Sequence, residues 1–577
     1  MTTNVLFSQR MLLGILILLL GLAYGLQSGG ETMFDDDHQI IYVSSFNSIN
    51  DTFSVDFLGL FRPVKNLIFY TWSSLLPDQY QAWRLTAVVL FLGLIPIAHR
   101  FFGLFWKDQP YLQLFCTALW ACAPAHTTVV SWISSTNILV GGYGFFLYIL
   151  FYEKSLQWDS PGTQHKAYLW KFAALLMFGL ACFSYEASVT APLLLILKEF
   201  VLNNERLKEK RSWVFYGLSF LMLGLYLTLR KVHGGVGTFG IAPLIPSDSN
   251  LWVSLSSGWM YLYHAIRWLW PFGQQGILIM FNPENHKTLV VMAALLVTGI
   301  GAISLAFYRK APKQFLGIGW FALALFPMAN VIPLRNGPIA DYYLFLPSIG
   351  LALFIAWLFQ HLASRIAVKK VVGLGVAIAT IYCATTFLWT PHWKSQQALA
   401  ERTVAWQPEN FVILESLAKI ELEEGHPEKA EDYLNRGLKL APWYARLHYY
   451  KAMMLIDQKR GDEATELLAM LMEKQPTSAK PFVFQAYVRE VLFDDIQEAE
   501  ELLIIALEKA WDDRYSRMGA LNLAAIYIKT DREPFAHQVY QTLAQRYPLD
   551  SDIQRKFRAL DQATTSPALT AVQQEED

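Results

Sequence analysis

Residues Thr288–Tyr308 read TLVVMAALLVTGIGAISLAFY and contain no charged side chain. A helix crosses about 30 Å of hydrocarbon with about 20 predominantly apolar residues, so this run is long enough to span a bilayer. Comparable runs lie at 11–28, 85–104, 111–130, 137–153, 167–184, 187–203, 213–230, 314–333, 341–360 and 370–390. The 577-residue chain is 54% apolar, 15% aromatic and only 16% charged, against about 25% charged in ordinary soluble proteins. The deficit is confined to residues 1–390, while residues 393–577 carry the charge of ordinary soluble helices. The expected fold class is therefore all-α: a polytopic transmembrane helical bundle over 1–390, followed by a soluble helical domain.

The basic loops fix the expected sides. Met11–Gly25 follows Arg10 and lacks a small-x-small cleavage site, so it reads as a first span rather than a removed signal peptide. Short Lys/Arg-rich loops stay cytoplasmic. Five such loops are present: Arg100 to Lys107, Lys154 to Lys171, Arg206 to Arg211, Arg309 to Lys313 and Arg365 to Lys370. All five lie inside, together with the N-terminus, only if the stretch 251–272, LWVSLSSGWMYLYHAIRWLWPF, does not cross. Its four tryptophans, two tyrosines, His264 and Arg267 suit an interfacial or re-entrant helix. The count becomes eleven crossings, with the C-terminal domain on the non-cytoplasmic face. Two long segments, Glu31–Trp83 and Lys231–Lys287, then face outward.

Residues 393–560 are repetitive. Pro408, Pro442 and Pro476 are 34 residues apart, as are Ala430 and Ala464, with Ala499 one residue further. The helix pairs LESLAKIELEEGHPEKAEDYLNRGLKLAP and HYYKAMMLIDQKRGDEATELLAMLMEKQP each place a glycine at the inter-helix turn and a proline after the second helix. This pattern is similar to the tetratricopeptide repeat. Small residues let the helices approach and proline stops them. Such arrays form concave surfaces that bind protein segments, and they also serve as rigid spacers. The third and fourth repeats are degenerate, and the polar tail 561–577 is expected to be disordered.

The net charge of −1 excludes a general field for nucleic acid. Cys116, Cys122, Cys182 and Cys383 lie in apolar runs without a CxxC pair and read as core thiols. P-loop, GxSxG and HExxH patterns are absent from the sequence. Asn50-Asp51-Thr52 is a glycosylation sequon by letter. The sharpest local feature is Phe34-Asp35-Asp36-Asp37-His38, just past the first span. Crowded carboxylates at a low-dielectric boundary repel one another, which raises a pKa and makes a general base. The same acids could hold a divalent cation, or form a solvated acidic loop.

FDDDHQII followed by GLFRPVKNLIF resembles the first outer loop of the transmembrane-and-tetratricopeptide-repeat proteins. These belong to the GT-C class of membrane glycosyltransferases, akin to protein O-mannosyltransferases. APAHTTVVSWISSTNILVG, FSYEASVTA, FPMANVIPL and ADYYLFLPSIG resemble later segments of that family, in order. The likeness places Asp36 and Asp37 as the family's acid pair, Arg62 in its aromatic-Arg-Pro segment, His126 in its His-Thr stretch and Glu186 in its Lys-Glu turn. The sequence departs from the pattern at Thr128, Thr136, Tyr185 and Asp341-Tyr342, where the family carries charged residues. The resemblance implies transfer of a sugar from a polyprenyl-phosphate donor to a protein or glycan acceptor, in contact with membrane lipid. Asp36 or Asp37 would be the catalytic base, without a certain cofactor. Arg62, His126, Glu186, Arg335 and Asp341 would contact donor phosphate or substrate, with Arg267 as a further source of cationic charge. The repeats would engage protein partners on the periplasmic or lumenal side of a bacterial inner membrane or an endoplasmic reticulum. The competing expectation is a non-catalytic, membrane-anchored repeat scaffold. A transporter is disfavoured by the scarcity of charge within the spans.

Overall fold

The computed structural model describes residues 3–27, 29–56, 60–160, 162–233, 250–272, 280–331, 339–509 and 514–565. They are helical, with no strand among them. The chain forms two compact units. The first comprises Met1–Met33, Gly59–Lys65 and Gln79–Trp406; the second comprises Phe34–Leu58, Asn66–Asp78 and Gln407–Asp577.

Among the described residues of the first unit, six helices are long and apolar enough to cross a membrane: Tyr80–Phe102, Ile133–Leu156, Gln164–Ser184, Lys210–Val232, Pro283–Ala306 and Val368–Lys394. A seventh would be the pair Pro110–Ala121 and Pro124–Ser131, bent by 47°. The eleven crossings expected from the charge pattern are not confirmed. Several apolar runs fold as shorter helices, such as Ala191–Leu202, Pro312–Leu325 and Ser348–Ala363. Short 3-10 turns flank these helices at Glu186–Thr190, Phe326–Met328 and Asp341–Leu344. The aromatic stretch 251–272 divides into Asn250–Leu255 and Ser257–Leu269, each too short to span.

Exposure separates lipid-facing from central helices. Met292, Leu295 and Ile303 of the uncharged run are 64%, 69% and 61% exposed, a surface suited to hydrocarbon. Close packing relies on small residues, because lipid supplies no hydrophobic drive between helices. A side chain at Gly144 would meet Met177 O at 2.6 Å, where Thr136–Leu156 packs on Gln164–Ser184. Gly317 and Gly350 face each other in the same way between Pro312–Leu325 and Ser348–Ala363. Buried charges are paired. Lys198, with its side chain 2% exposed, binds Glu153 and Glu199, and Arg206 reaches the same two carboxylates at 3.3 and 3.2 Å. Arg84, also buried, donates to the carbonyls of Gln27, Glu31 and Trp393 and so joins the exit of the first helix to the end of the last.

The second unit is built on four helix pairs and a closing helix. The pairs are Phe411–Glu423 with Pro427–Leu440, Ala445–Asp457 with Gly461–Lys474, Lys480–Leu492 with Ile496–Lys509, and Arg514–Lys529 with Glu533–Arg546. The closing helix Ser551–Thr565 runs into the segment read as tail. Ala430, Ala464, Ala499 and Ala536 are all fully buried at the helix contacts. The inter-helix turn needs a left-handed residue in each repeat: Gly425, Lys459, Asp494 and Asp531 have φ of 77°, 59°, 51° and 55°. Gly461 is therefore not the turn residue of the second repeat; it opens the next helix and lies against Phe493.

The segment Phe34–Leu58, after the first helix, belongs to this unit. The helix Asp36–Ser44 carries the acids and lays Ile41 against the core of the third and fourth repeats. Ser44 O accepts from Leu549 N at 3.2 Å, and Ser551 Oγ donates to Asp78 Oδ2 at 3.0 Å.

A lysine in left-handed conformation is strained, whereas glycine adopts it freely. Lys459→Gly should stabilise the repeats by about 0.5–1 kcal/mol, read as a rise of a few degrees in the unfolding midpoint by circular dichroism. A lowered midpoint would refute the left-handed turn at this position.

Candidate functional site

Two arginine–carboxylate pairs organise the irregular segments of the first unit. Arg62 stands immediately before Pro63, the first residue of the helix Pro63–Leu75. Tyr185, extended at φ −147° and ψ 116°, ends the helix Gln164–Ser184 and hands over to the turn that Glu186 opens. The Arg62 guanidinium grips this carboxylate with two nitrogens, Nε to Oε2 at 2.8 Å and Nη2 to Oε1. Both side chains are 16% exposed, so the pair is largely out of water. Such a bidentate fork is stronger and more directional than a point-charge contact.

The second pair is deeper. Arg267 of the aromatic helix binds Asp341 through Nε–Oδ1 at 3.3 Å and Nη2–Oδ2 at 3.2 Å, with exposures of 5% and 0%. His264, one turn earlier, has Nε2 3.3 Å from Ala340 O and Nδ1 2.7 Å from Met260 O. Trp268 O, at the end of the same helix, accepts from the Tyr382 hydroxyl at 2.5 Å. Asp341 thus does more than favour a helix dipole. It neutralises the arginine that ties the short aromatic helix to the bundle.

The turn Asp341–Leu344 connects the pairs. Beyond Asp341 it carries Tyr342 and Tyr343, whose phenols feel the charge of Arg62. Tyr185 and Tyr226 lie within electrostatic reach of both Arg62 and Glu186. Phe61 stacks on His233 at 5.1 Å and meets Tyr226 at 6.4 Å. Arg230 lies on the same side of its helix, between these two residues, and acts on Glu186. Around this cluster, Thr128, Ser131, Tyr185 and Ser188 hold buried hydroxyls with no hydrogen-bond partner. Buried unsatisfied polar groups require an explanation, and a bound polar ligand or water is the usual one.

The other sequence-predicted residues fall elsewhere. His126 is fully buried, with Nε2 3.3 Å from Ser348 Oγ and its ring enclosed by Phe91, Trp120 and Phe345. It packs as a core histidine. Arg335 lies outside the described residues. Asp36 and Asp37 belong to the second unit, where they open the helix Asp36–Ser44. Carboxylates are favoured in a first turn by the helix dipole. Phe34, just before them, has φ of 52°, a conformation costly for a bulky residue. Asp36 is fully buried while Asp37 is exposed. Neighbouring helical residues project about 100° apart, so these two acids alone do not converge on one ion. A divalent cation there would need further ligands. The acid helix is held by Gln39 Nε2 to Asn66 Oδ1 at 3.2 Å and by Tyr42 to Ser54 Oγ at 2.6 Å. Asn66 in turn donates to the carbonyls of Thr52 and Ser54, both at 3.0 Å.

Among the described residues, one trio of metal-type side chains converges: Glu421, Glu424 and His426 in the first repeat. Lys429 already sits 3.4 Å from Glu421, with His426 at 3.1 Å. Sequence reasoning missed Arg230 and treated Tyr185 and Tyr342 only as losses from a family pattern. The spacing of Tyr226, Arg230 and His233 at the end of a span was the available signal, since it puts three polar-tipped residues on one helical face.

Residues 421–480 match the tetratricopeptide-repeat family model. Fold and match together define a multi-pass helical membrane protein with a tetratricopeptide-repeat domain. The chain is distantly similar to the human protein O-mannosyl-transferase TMTC4, 22% identical over 362 residues, which are 56% of this chain and 48% of that protein. The mouse protein O-mannosyl-transferase TMTC4 is likewise 22% identical over 361 residues, 56% of this chain and 49% of its own. The match thus spans about half the length of these relatives. The crystal structure of yeast Tom70 aligns over 84% of this chain and 99% of its own at 13% identity, with a TM-score of 0.24.

The Arg62–Glu186 pair should appear in a double-mutant cycle. Arg62→Ala and Glu186→Ala should each destabilise the detergent-solubilised protein, while the double variant loses less than their sum. A coupling of about 1–3 kcal/mol is expected. Strictly additive losses in thermal melts would show that the two side chains do not pair.

Proposed function

We propose that this protein is a membrane glycosyltransferase that moves a sugar from a polyprenyl-phosphate donor to an acceptor hydroxyl on the extracytoplasmic face. The observation that carries the reading is the composition of the second unit: the acid-bearing helix Asp36–Ser44 and the repeat array are one compact body. A base and an acceptor-binding surface then share one side of the membrane. The distant similarity to protein O-mannosyl-transferases supports the reaction class.

In the proposed step, the acceptor hydroxyl attacks the anomeric carbon from the face opposite the phosphate, inverting its configuration. An aspartate takes the hydroxyl proton. Asp37 is the exposed member of the pair and can be reached directly; Asp36 lies buried beside it. The glycosidic oxygen leaves with the phosphate, whose charge Arg62, with Arg335, stabilises. Glu186 orders Arg62 until an anion arrives, and Asp341 fixes the turn whose tyrosines line the cluster. His126 supports that turn's neighbour, Ser348, from the core. The repeats hold the acceptor, a protein segment, along their concave face, so the array lies on the periplasmic or lumenal side.

Purified protein assayed with a panel of polyprenyl-phosphate sugars and peptide acceptors tests this. Asp36→Asn with Asp37→Asn should abolish transfer while leaving the protein folded, read as a retained cooperative unfolding transition. Full activity in that double variant would remove the base assignment.

A further inference from the structure

An array of helical repeats exposes apolar surface at each end and needs a cap. Here the closing helix Ser551–Thr565 does part of this work. A second cover comes from far away in sequence. Ile41 lies against the hydrophobic core that includes Leu523, Ala524 and Tyr527 of the helix Arg514–Lys529, together with Tyr540, Leu543 and Ile553. Two polar contacts flank it: Leu549 N to Ser44 O at 3.2 Å, and Ser551 Oγ to Asp78 Oδ2 at 3.0 Å. Leu549 lies between the fourth helix pair and the closing helix, and Ser551 is the first residue of that helix. On its other side the acid helix is held by Gln39, Tyr42 and Asn66, and Phe46 meets Tyr70 at 6.3 Å. Nine residues of helix cannot hold their own shape in water. Their orientation is set by what they lie on.

We infer that the terminal repeat is the seat of the acid-bearing helix, with Ile41, Ser44 and Asp78 as positioning residues, so that the array sets the orientation of Asp36 and Asp37 as well as binding an acceptor. This rests on the transferase reading above for its catalytic consequence, though not for the seat itself. It follows that the repeats are needed for turnover of a small acceptor that never touches their concave face. Displacement of a reacting group by about 1 Å costs on the order of a hundredfold in rate.

The seat is tested in membranes with the full-length chain carrying Asp78→Cys and Ser551→Cys. Under mild oxidation, mass spectrometry after trypsin should find the peptide 66–84 linked to 547–555. No link would overturn the seat. Ile41→Asp should abolish the link, lower kcat for a small-alcohol acceptor by on the order of a hundredfold and leave donor KM within about twofold, as expected when orientation rather than binding is lost. Ile41→Leu should restore both. An Ile41→Asp protein that has lost the link but keeps its kcat would overturn the positioning role. A wild-type protein that forms the link yet transfers no sugar from any donor would sustain the seat and sink only the transferase reading.

Discussion

A guanidinium withdrawn from water must bring a carboxylate with it, and in this protein that requirement shapes the bundle. Removing one partner from a buried pair typically costs about 3–5 kcal/mol, because the other charge is stranded. Arg62 therefore fixes Glu186, and Arg267 fixes Asp341. Each pair joins elements that are not regular membrane helices: a loop before a proline, a 3-10 turn, a short aromatic helix and a second 3-10 turn. Irregular backbone at membrane depth survives only where the protein satisfies its polar groups. The pairs tie these segments together, and His264, one turn before Arg267, reaches the backbone of the second turn through Ala340 O at 3.3 Å.

The same constraint explains what could be read from the sequence. Apolar runs such as Thr288–Tyr308 announce their helices, because length and composition are local properties. The runs at 187–203 and 341–360 look equally apolar, yet their first residues form the turns Glu186–Thr190 and Asp341–Leu344. What breaks them is a partner 124 residues away for Glu186 and 74 away for Asp341, and no window sees that far. Arg62 and Glu186 were both legible as candidates, through separate motifs, but not as partners. Arg267 was offered as a spare cation when it is already neutralised. His126 was singled out by a family stretch, and its ring proves to be enclosed by three aromatic side chains.

The repeats were more legible, because periodicity is a local signal repeated. Ala430, Ala464 and Ala499 are buried as their spacing requires, and Ala536 continues the series in a repeat too degenerate to name. The turn chemistry was misread in one repeat. Glycine fills the left-handed position only at residue 425, while Lys459 takes it next and Asp494 and Asp531 follow, aspartate tolerating that conformation better than lysine. That the segment after the first helix joins the repeat unit left no trace in the sequence. Ile41 is one apolar residue in a nine-residue helix, and nothing in its spacing points to a surface some 500 residues away.

The pairing of Arg62 also bears on how an anion could be recognised at this site. A phosphate can engage Arg62 only by exchanging with the Glu186 carboxylate, so its apparent affinity is lowered by the free energy of the pair. A coupling of about 1–3 kcal/mol corresponds to roughly five- to 150-fold. That toll discriminates between ligands. A carboxylate or a weakly held lipid anion offers the guanidinium no more than Glu186 already does, and gains nothing by exchange. A phosphate monoester, the form released in the proposed step, presents three oxygens and more charge, and can meet Arg62 with the same fork geometry while reaching other donors. The displaced Glu186 keeps a cationic neighbour in Arg230 and hydroxyl neighbours in Tyr185 and Tyr226, so it is not stranded in low dielectric. On the proposed reading, a closed ion pair with a second arginine behind it would favour that monoester over singly charged competitors, which its resting state already satisfies.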